Sequence, residues 1–280
     1  MSDTIEKCGV PGLHIQRTVS PHPNPNEHQM HAHEFCELFY FSDGAGSYSV
    51  EGHEYPLVPN SILLMRIGET HMLHIRPELP YERFVVNFQP EMLSAIDPSG
   101  RMMEPYLNRA SGQRNLYTPT QFNVPLVRGC LNAMLTAAGR SAYMQRLAIL
   151  TNLSAILYEL CRVFRSDCPP ETDTAPQSLI AGVVDYINRN LTEELSLDAL
   201  SARFFLSKSY LNQQFRQATG TTIWDYVLLK RLMRTRTAIR SGVPVTDAFR
   251  ASGFNDYSSF YRRYKSRFGV SPKEDRPHGN

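Results

Sequence analysis

No run of apolar residues in this sequence approaches the roughly 18 that a membrane-spanning helix needs. The opening MSDTIEKCGV has neither a basic n-region nor an apolar h-region, so no secretory signal is expected. Cysteine is scarce. There are five, at 8, 36, 130, 161 and 168, and none is in a CxxC pair. An odd number at such spacings makes no disulfide framework, and reduced thiols in a cytoplasm fit better. A nucleophilic triad, a phosphate loop and a CxxC zinc pattern are missing as well. These gaps argue against a membrane protein, a secreted disulfide scaffold and a P-loop NTPase. The expectation is a cytoplasmic protein with no membrane partner and no cofactor.

What is present is a globular composition, 42% hydrophobic and 20% charged over 280 residues. That is enough chain for two domains with real cores. The net charge of +2 conceals an asymmetry. Residues 1–176 hold 13 Lys and Arg against 18 Asp and Glu, a net of −5. Residues 177–280 hold 16 against 9, a net of +7. A basic block of that size suits a polyanion such as nucleic acid. A merely solvated basic surface is the plain alternative.

The charge changes sign at SDCPPETDTAP, 166–176, which is rich in Pro, Thr and acids and reads as a linker. Before it, FCELFYF, GSYSV, HEYPLV, SILLM, HMLHI and YERFVVNF read as short strands of an antiparallel sandwich or barrel. Residues 122–139 and 142–165 then take on helical periodicity. In the second helix Leu150, Leu153, Leu157, Leu160 and Phe164 are spaced like an a/d seam. Dimerisation and packing on the barrel would both use such a stripe. After the linker the pattern is helical throughout.

The basic half contains a repeat. Leu211 falls on Phe260, Phe215 on Tyr264 and Gly220 on Gly269, each pair 49 positions apart. Ser207 then falls on Asp256, and both are good N-caps. Leu197 falls on Val245 and Leu200 on Ala248, 48 apart, so one residue is inserted in a turn. Gly253 supplies the positive φ such a turn needs. Two helix-turn-helix units are expected. Phe260, Tyr264 and Phe268 share one face of the second recognition helix, which leaves Tyr257, Ser258, Tyr261, Arg262 and Lys265 for DNA. In the first, Leu211, Phe215 and Tyr210 form the core face, and Lys208, Ser209, Asn212, Gln213 and Arg216 point outward. Asn and Gln pair with adenine and Arg with guanine.

SLDALSARFFLSKSYLNQQFRQATGTT and GFNDYSSFYRRYKSRFGVSP closely resemble the two helix-turn-helix units of the AraC/XylS family of bacterial transcription regulators. The helix at 222–241 resembles the rod joining them. The chain departs from the family at DAFR, where Phe249 is bulky for a tight inter-helix contact, and at KEDR near the end. The N-terminal half resembles a cupin-type sensor. HAHEFCELFYFSDG matches the first cupin motif through His31, His33, Glu37 and Gly44, and RIGETH resembles the second through His71.

The resemblance implies a non-enzymatic, sequence-specific DNA-binding regulator, an activator by family habit. The fold class expected is α+β multidomain. Residues 1–121 are an antiparallel, jelly-roll-like cupin barrel that binds effector, 122–166 a helical dimerisation hairpin, 167–176 a linker and 177–280 an all-α double helix-turn-helix domain. His31, His33, Glu37 and His71 are the effector-binding candidates. A small polar ligand such as a sugar ranks first there, a divalent metal second and a structural role third. The partners implied are double-stranded promoter DNA, the effector, RNA polymerase and a second copy of the chain. The rival reading is a metal-dependent cupin enzyme, an isomerase or dioxygenase, with an accessory helical domain.

Overall fold

The computed structural model describes residues 3–24, 30–166, 179–219 and 221–276. The expected linker, Cys168 and Gly220 lie outside the described residues. The chain divides into two compact units, Met1–Thr174 and Ala175–Asn280.

The first unit contains β1 (Thr4–Val10), β2 (Leu13–Ser20), β3 (Cys36–Asp43), β4 (Gly46–Val50), β5 (His53–Leu57), β6 (Ser61–Met65), β7 (His71–Ile75), β8 (Tyr81–Phe88) and the short β9 (Leu116–Tyr117). Among the described residues they form two antiparallel sheets, ordered β1-β2-β8-β3-β6-β9 and β5-β4-β7. The expected antiparallel, jelly-roll-like architecture is present as two facing sheets. β4, β5 and β7 pair only with one another, so the ladder does not run continuously around.

Both faces of the larger sheet are covered. Leu38, Tyr40, Ile62, Leu64, Val86 and Phe88 pack under helices, while Phe39, Phe41, Leu63 and Met65 meet Tyr48, Val50, Leu73 and Ile75 of the smaller sheet. That is why β6 and the LFYF stretch of β3 read as continuous apolar runs rather than alternations. Each such side chain contributes about 1.5–3 kcal/mol on burial.

The helical layer holds α1 (Glu104–Leu107), α2 (Val124–Leu135) and α3 (Ala142–Ser166). Asn123 caps α2 by accepting from the Leu126 N–H at 3.1 Å. Leu153, Leu157 and Leu160 of α3 are wholly buried in the sheet's own core. The seam expected for dimerisation is thus internal, and the stripe is the packing face of a core helix. By length and composition α3 could also cross a membrane, which the sequence reading did not anticipate. Its apolar face is occupied by the sheet. Its outer face exposes Tyr143, Met144, Leu147 and Tyr158.

The second unit contains α4 (Leu179–Arg189), α5 (Leu197–Phe204), α6 (Lys208–Thr219), α7 (Ile223–Arg240), α8 (Val245–Ala251) and α9 (Tyr257–Phe268). α7 is a rod of about 27 Å at 1.5 Å per residue. Near its start Tyr226 meets Phe215 of α6, ring centroids 5.5 Å apart. Further on, Leu232 and Ile239 share a core with Ala248, Phe249, Phe260 and Tyr264. One helix therefore organises both repeats.

Leu157→Ala should lower the stability of the β unit by about 2–5 kcal/mol, because a buried cavity replaces packed core. Tyr143→Glu with Tyr158→Glu should leave that core packed. The separated β unit should then keep its own stability to within about 0.5 kcal/mol, once any effect of association is excluded by working at low protein concentration. Thermal unfolding of the two variants checks the assignment of inner and outer faces.

Candidate effector site and nucleic-acid interface

The inter-sheet site forms where the segment before β3 meets the start of β7. His31 and His71 make an isolated antiparallel bridge, with N–H to O distances of 3.1 and 2.9 Å. His31 and His33 both precede β3 and belong to no named strand. The bridge nevertheless brings the rings together edge to face. Centroids lie 4.3 Å apart for His31 and His71 and 4.9 Å for His33 and His71. Possible ligand nitrogens of all three histidines lie within 4.8 Å of one another.

Glu37 enters from β3, where it is opposite Asn87 and Met65. Its Oε2 is 3.0 Å from His33 Nε2, and the Tyr48 hydroxyl donates to its Oε1 at 3.5 Å. Burial alone would raise the Glu37 pKa, but the His33 hydrogen bond and the three nearby imidazoles bring it down to about 2. Burial lowers His33, and the hydrogen bond and charge of Glu37 more than reverse it, so His33 titrates above its ordinary value. His71 is held to about 3 by burial, with Glu37 opposing.

His71 is thus a neutral imidazole. Its Nδ1–H donates to the Glu69 carbonyl at 2.8 Å, which leaves Nε2 with the lone pair, buried and without a partner among the described residues. Three imidazoles and a carboxylate are a donor set that fits a divalent transition cation. They equally fit the hydroxyls of a polar ligand.

Two positioning residues escaped the sequence reading. Glu69 receives Arg109 through both oxygens at 2.8 Å, and also accepts from Gly112 N–H at 3.1 Å and Asn115 Nδ2 at 3.2 Å. This buried, fully satisfied carboxylate fixes the loop whose Glu69 carbonyl orients His71. The pair is 40 positions apart, so spacing gave no signal for it.

The recognition helices carry the expected caps. The Ser207 hydroxyl accepts from Tyr210 N–H at 3.3 Å, and Asp256 accepts from Ser258 and Ser259 N–H at 3.1 Å each. Gly253 has φ +81, and a Cβ there would come within 3.0 Å of the Leu191 carbonyl oxygen. Leu211, Phe215, Phe260 and Tyr264 are wholly buried. Tyr210 is 47% exposed, which corrects its assignment to the core.

Lys208, Ser209, Gln213, Arg216, Tyr257, Ser258, Arg262 and Lys265 are exposed, while Asn212 and Tyr261 are half-buried. Lys208 pairs with Asp198 of α5. Phe249 stacks on Phe254 at 8° and meets Tyr257 and Phe260 edgewise or tilted, each at 5.3 Å. An aromatic cluster therefore absorbs its bulk and leans Tyr257 toward α8.

A model for a helix-turn-helix domain matches residues 200–277, and one for an AraC-like ligand binding domain matches residues 17–148. The chain belongs to the AraC family of transcription regulators. It is 22% identical over 267 residues to the HTH-type transcriptional activator RhaS of Escherichia fergusonii, covering 95% of this chain and 94% of that protein. It is 22% identical over 264 residues to RhaS of Pectobacterium carotovorum, covering 91% and 90%. Among solved structures, ToxT from Vibrio cholerae O395 is 12% identical, with 98% of this chain and 96% of that chain covered and a TM-score of 0.36. An AraC-family regulator binds DNA through its helix-turn-helix unit and a small molecule through its ligand-binding unit, and it is not an enzyme. The cupin-enzyme reading falls.

The family's tail position is filled here by Asp275. It accepts from Arg236 Nε at 2.5 Å, Arg240 Nη2 at 2.8 Å and the Tyr264 hydroxyl at 2.7 Å. Burial would raise its pKa, and these donors instead hold it at about 2. A depressed carboxylate stabilises the fold above its unfolded pKa of roughly 3.9 and loses that contribution as pH falls toward its folded value. Asp275→Asn should therefore cost about 1–2 kcal/mol at neutral pH. The deficit against wild type should shrink from about pH 4 toward pH 2, as followed by circular dichroism of the helical unit.

Proposed function

We propose that this AraC-family protein is a cytoplasmic, dimeric activator that reads promoter DNA with α6 and α9 and answers to a small polar effector. The duplicated, capped recognition helix on a unit of net charge +7 carries this reading. Lys208, Ser209, Asn212, Gln213 and Arg216 form one reading face. Tyr257, Ser258, Tyr261, Arg262 and Lys265 form the other. His31, His33, Glu37 and His71 hold the effector between the sheets. The name of the curated relatives, transcriptional activator, supports activation, and RNA polymerase is then the partner that activation acts upon.

A second copy of the chain covers the outer face of α3, where Tyr143, Met144, Leu147 and Tyr158 are exposed. The double glutamate variant at Tyr143 and Tyr158 should sediment as a monomer. A persisting dimer would move the interface elsewhere.

Base reading separates from phosphate contact. Gln213→Ala and Arg262→Ala should each cost about 1–3 kcal/mol on the preferred site and relax one cluster of positions. The clusters should lie about 10 bp apart. Binding-site selection with both variants is the measurement. A uniform loss over all sequences would reassign the residue to phosphate.

His33→Ala or Glu37→Ala should abolish the effector response and leave operator binding intact. Regulation that survives both would place the effector elsewhere. The second reading, a divalent cation at the same cluster, is favoured by the orphan lone pair of His71 Nε2. Elemental analysis decides it: stoichiometric metal in wild type that is lost in His71→Ala would support the cation.

A further inference from the structure

Arg83 lies on β8, opposite Thr18 of β2 and Phe41 of β3. Alternation along the strand settles which way it faces. Phe84, Val86 and Phe88 belong to the core under the helices, whereas Tyr81 and Val85 pack between the sheets. Arg83 and Asn87 share that inner face, as does Gln16, which lies opposite Val85 in register. Arg83 is half-buried, and a guanidinium drawn out of water is costly without a counter-charge. The carboxylate acting on Arg83 is Glu37. Glu37 is already engaged by His33 and by the Tyr48 hydroxyl. Among the described residues no carboxylate makes an ion pair with Arg83; its guanidinium carbon lies 5.7 Å from the Tyr81 ring centroid. Arg83 Nε and Asn87 Oδ1 are both buried without a hydrogen-bond partner among the described residues.

A guanidinium fork recognises a carboxylate or phosphate. Amide and hydroxyl groups such as those of Asn87, Gln16 and Thr18 recognise hydroxyls. We infer that the effector is an anionic sugar derivative, an acid or a phosphate, whose charged group Arg83 binds and whose hydroxyls meet Asn87 and Gln16. This rests on the reading of the inter-sheet space as the effector site. The assignment is robust to what the histidines hold. A cation among them would make the inter-sheet space more positive and strengthen the need for an anion.

The full-length protein is tested by thermal shift at matched ionic strength. The probes are sodium D-galacturonate, sodium D-gluconate and D-galactose 1-phosphate, against D-galactose and sodium chloride. At least one anion should raise the unfolding midpoint by about 3 °C or more, with D-galactose inert. Arg83→Gln should lose that shift, and Arg83→Lys should keep part of it, which also serves if the glutamine variant does not fold. The carboxylate and phosphate arms tell the two anions apart. If D-galactose stabilises wild type and Arg83→Gln alike and fails with His33→Ala, the effector site stands and the anion is overturned. If an anion needs Arg83 but not His33, the anion site stands and the histidine cluster leaves the effector reading. No shift beyond sodium chloride with any anion overturns the inference.

Discussion

Covering both faces of the six-stranded sheet is the constraint on which the sensor unit depends. A strand buried on both sides has no solvent to satisfy a polar side chain, so each one must find a partner within the fold or a ligand. Tyr40 illustrates the first solution, donating to Asn60 Oδ1 at 2.5 Å. Glu69 illustrates it for a full charge, with Arg109 on both oxygens. On the inter-sheet face the accounting stops short. His71 Nε2, Arg83 Nε and Asn87 Oδ1 lack partners among the described residues, and all three belong to elements that line the same space. These three open groups on one face are what supports the proposed binding site between the sheets. The same double burial made α3 a core helix, since the sheet's outer apolar face had to be covered.

The DNA-binding unit obeys a different constraint, that one rod must serve two motifs. α7 is shared, so each motif docks on a different stretch of it, Phe215 against Tyr226 and Phe260 and Tyr264 beside Ile239. The repeats then diverge where the chain turns. The second turn uses Gly253, forced by a positive φ and by the nearby Leu191 carbonyl. The corresponding turn of the first unit places Phe205 at φ 55 and 93% exposed. A non-glycine residue there costs on the order of 1–2 kcal/mol. The first turn has room for a side chain where the second does not, which is why one repeat tolerates a substitution that would disrupt the other.

Much of this was legible in the sequence. β4, β6, β7 and β8 begin and end where GSYSV, SILLM, HMLHI and YERFVVNF do. The caps at Ser207 and Asp256 and the turn at Gly253 followed from chain chemistry alone. β1 and β2 were missed, although VPG between them is a turn signal and Leu13, Ile15 and Val19 alternate. The seam of α3 was ambiguous for a physical reason: an apolar stripe at 3-4 spacing reports that a helix is buried, not against what. Tyr210 was misplaced because a tyrosine near a helix start satisfies a core pattern as well as a surface one. Arg109 and Arg83 were invisible, since a buried cation acquires meaning only from neighbours that folding brings to it.

Charge completes the division of labour. A net of −5 on residues 1–176 opposes binding of that half to DNA, and a net of +7 on residues 177–280 favours it. Within the basic half several cations are already committed. Arg236 and Arg240 pair with Asp275, Arg231 donates to the Leu191 and Glu193 carbonyls, and Lys208 pairs with Asp198. Cations fixed in this way contribute less to counterion release than the formal charge suggests, because their field is already partly neutralised. At the proposed DNA interface the exposed arginines on α6 and α9, Arg216, Arg262, Arg263 and Arg267, would therefore supply a larger share of the salt-dependent affinity than their number implies. Arginine thus serves two ends in this unit. Arg231, Arg236 and Arg240 of the rod are tied to carbonyls and to Asp275 and hold the motifs together, while the exposed arginines of α6 and α9 face the proposed DNA surface.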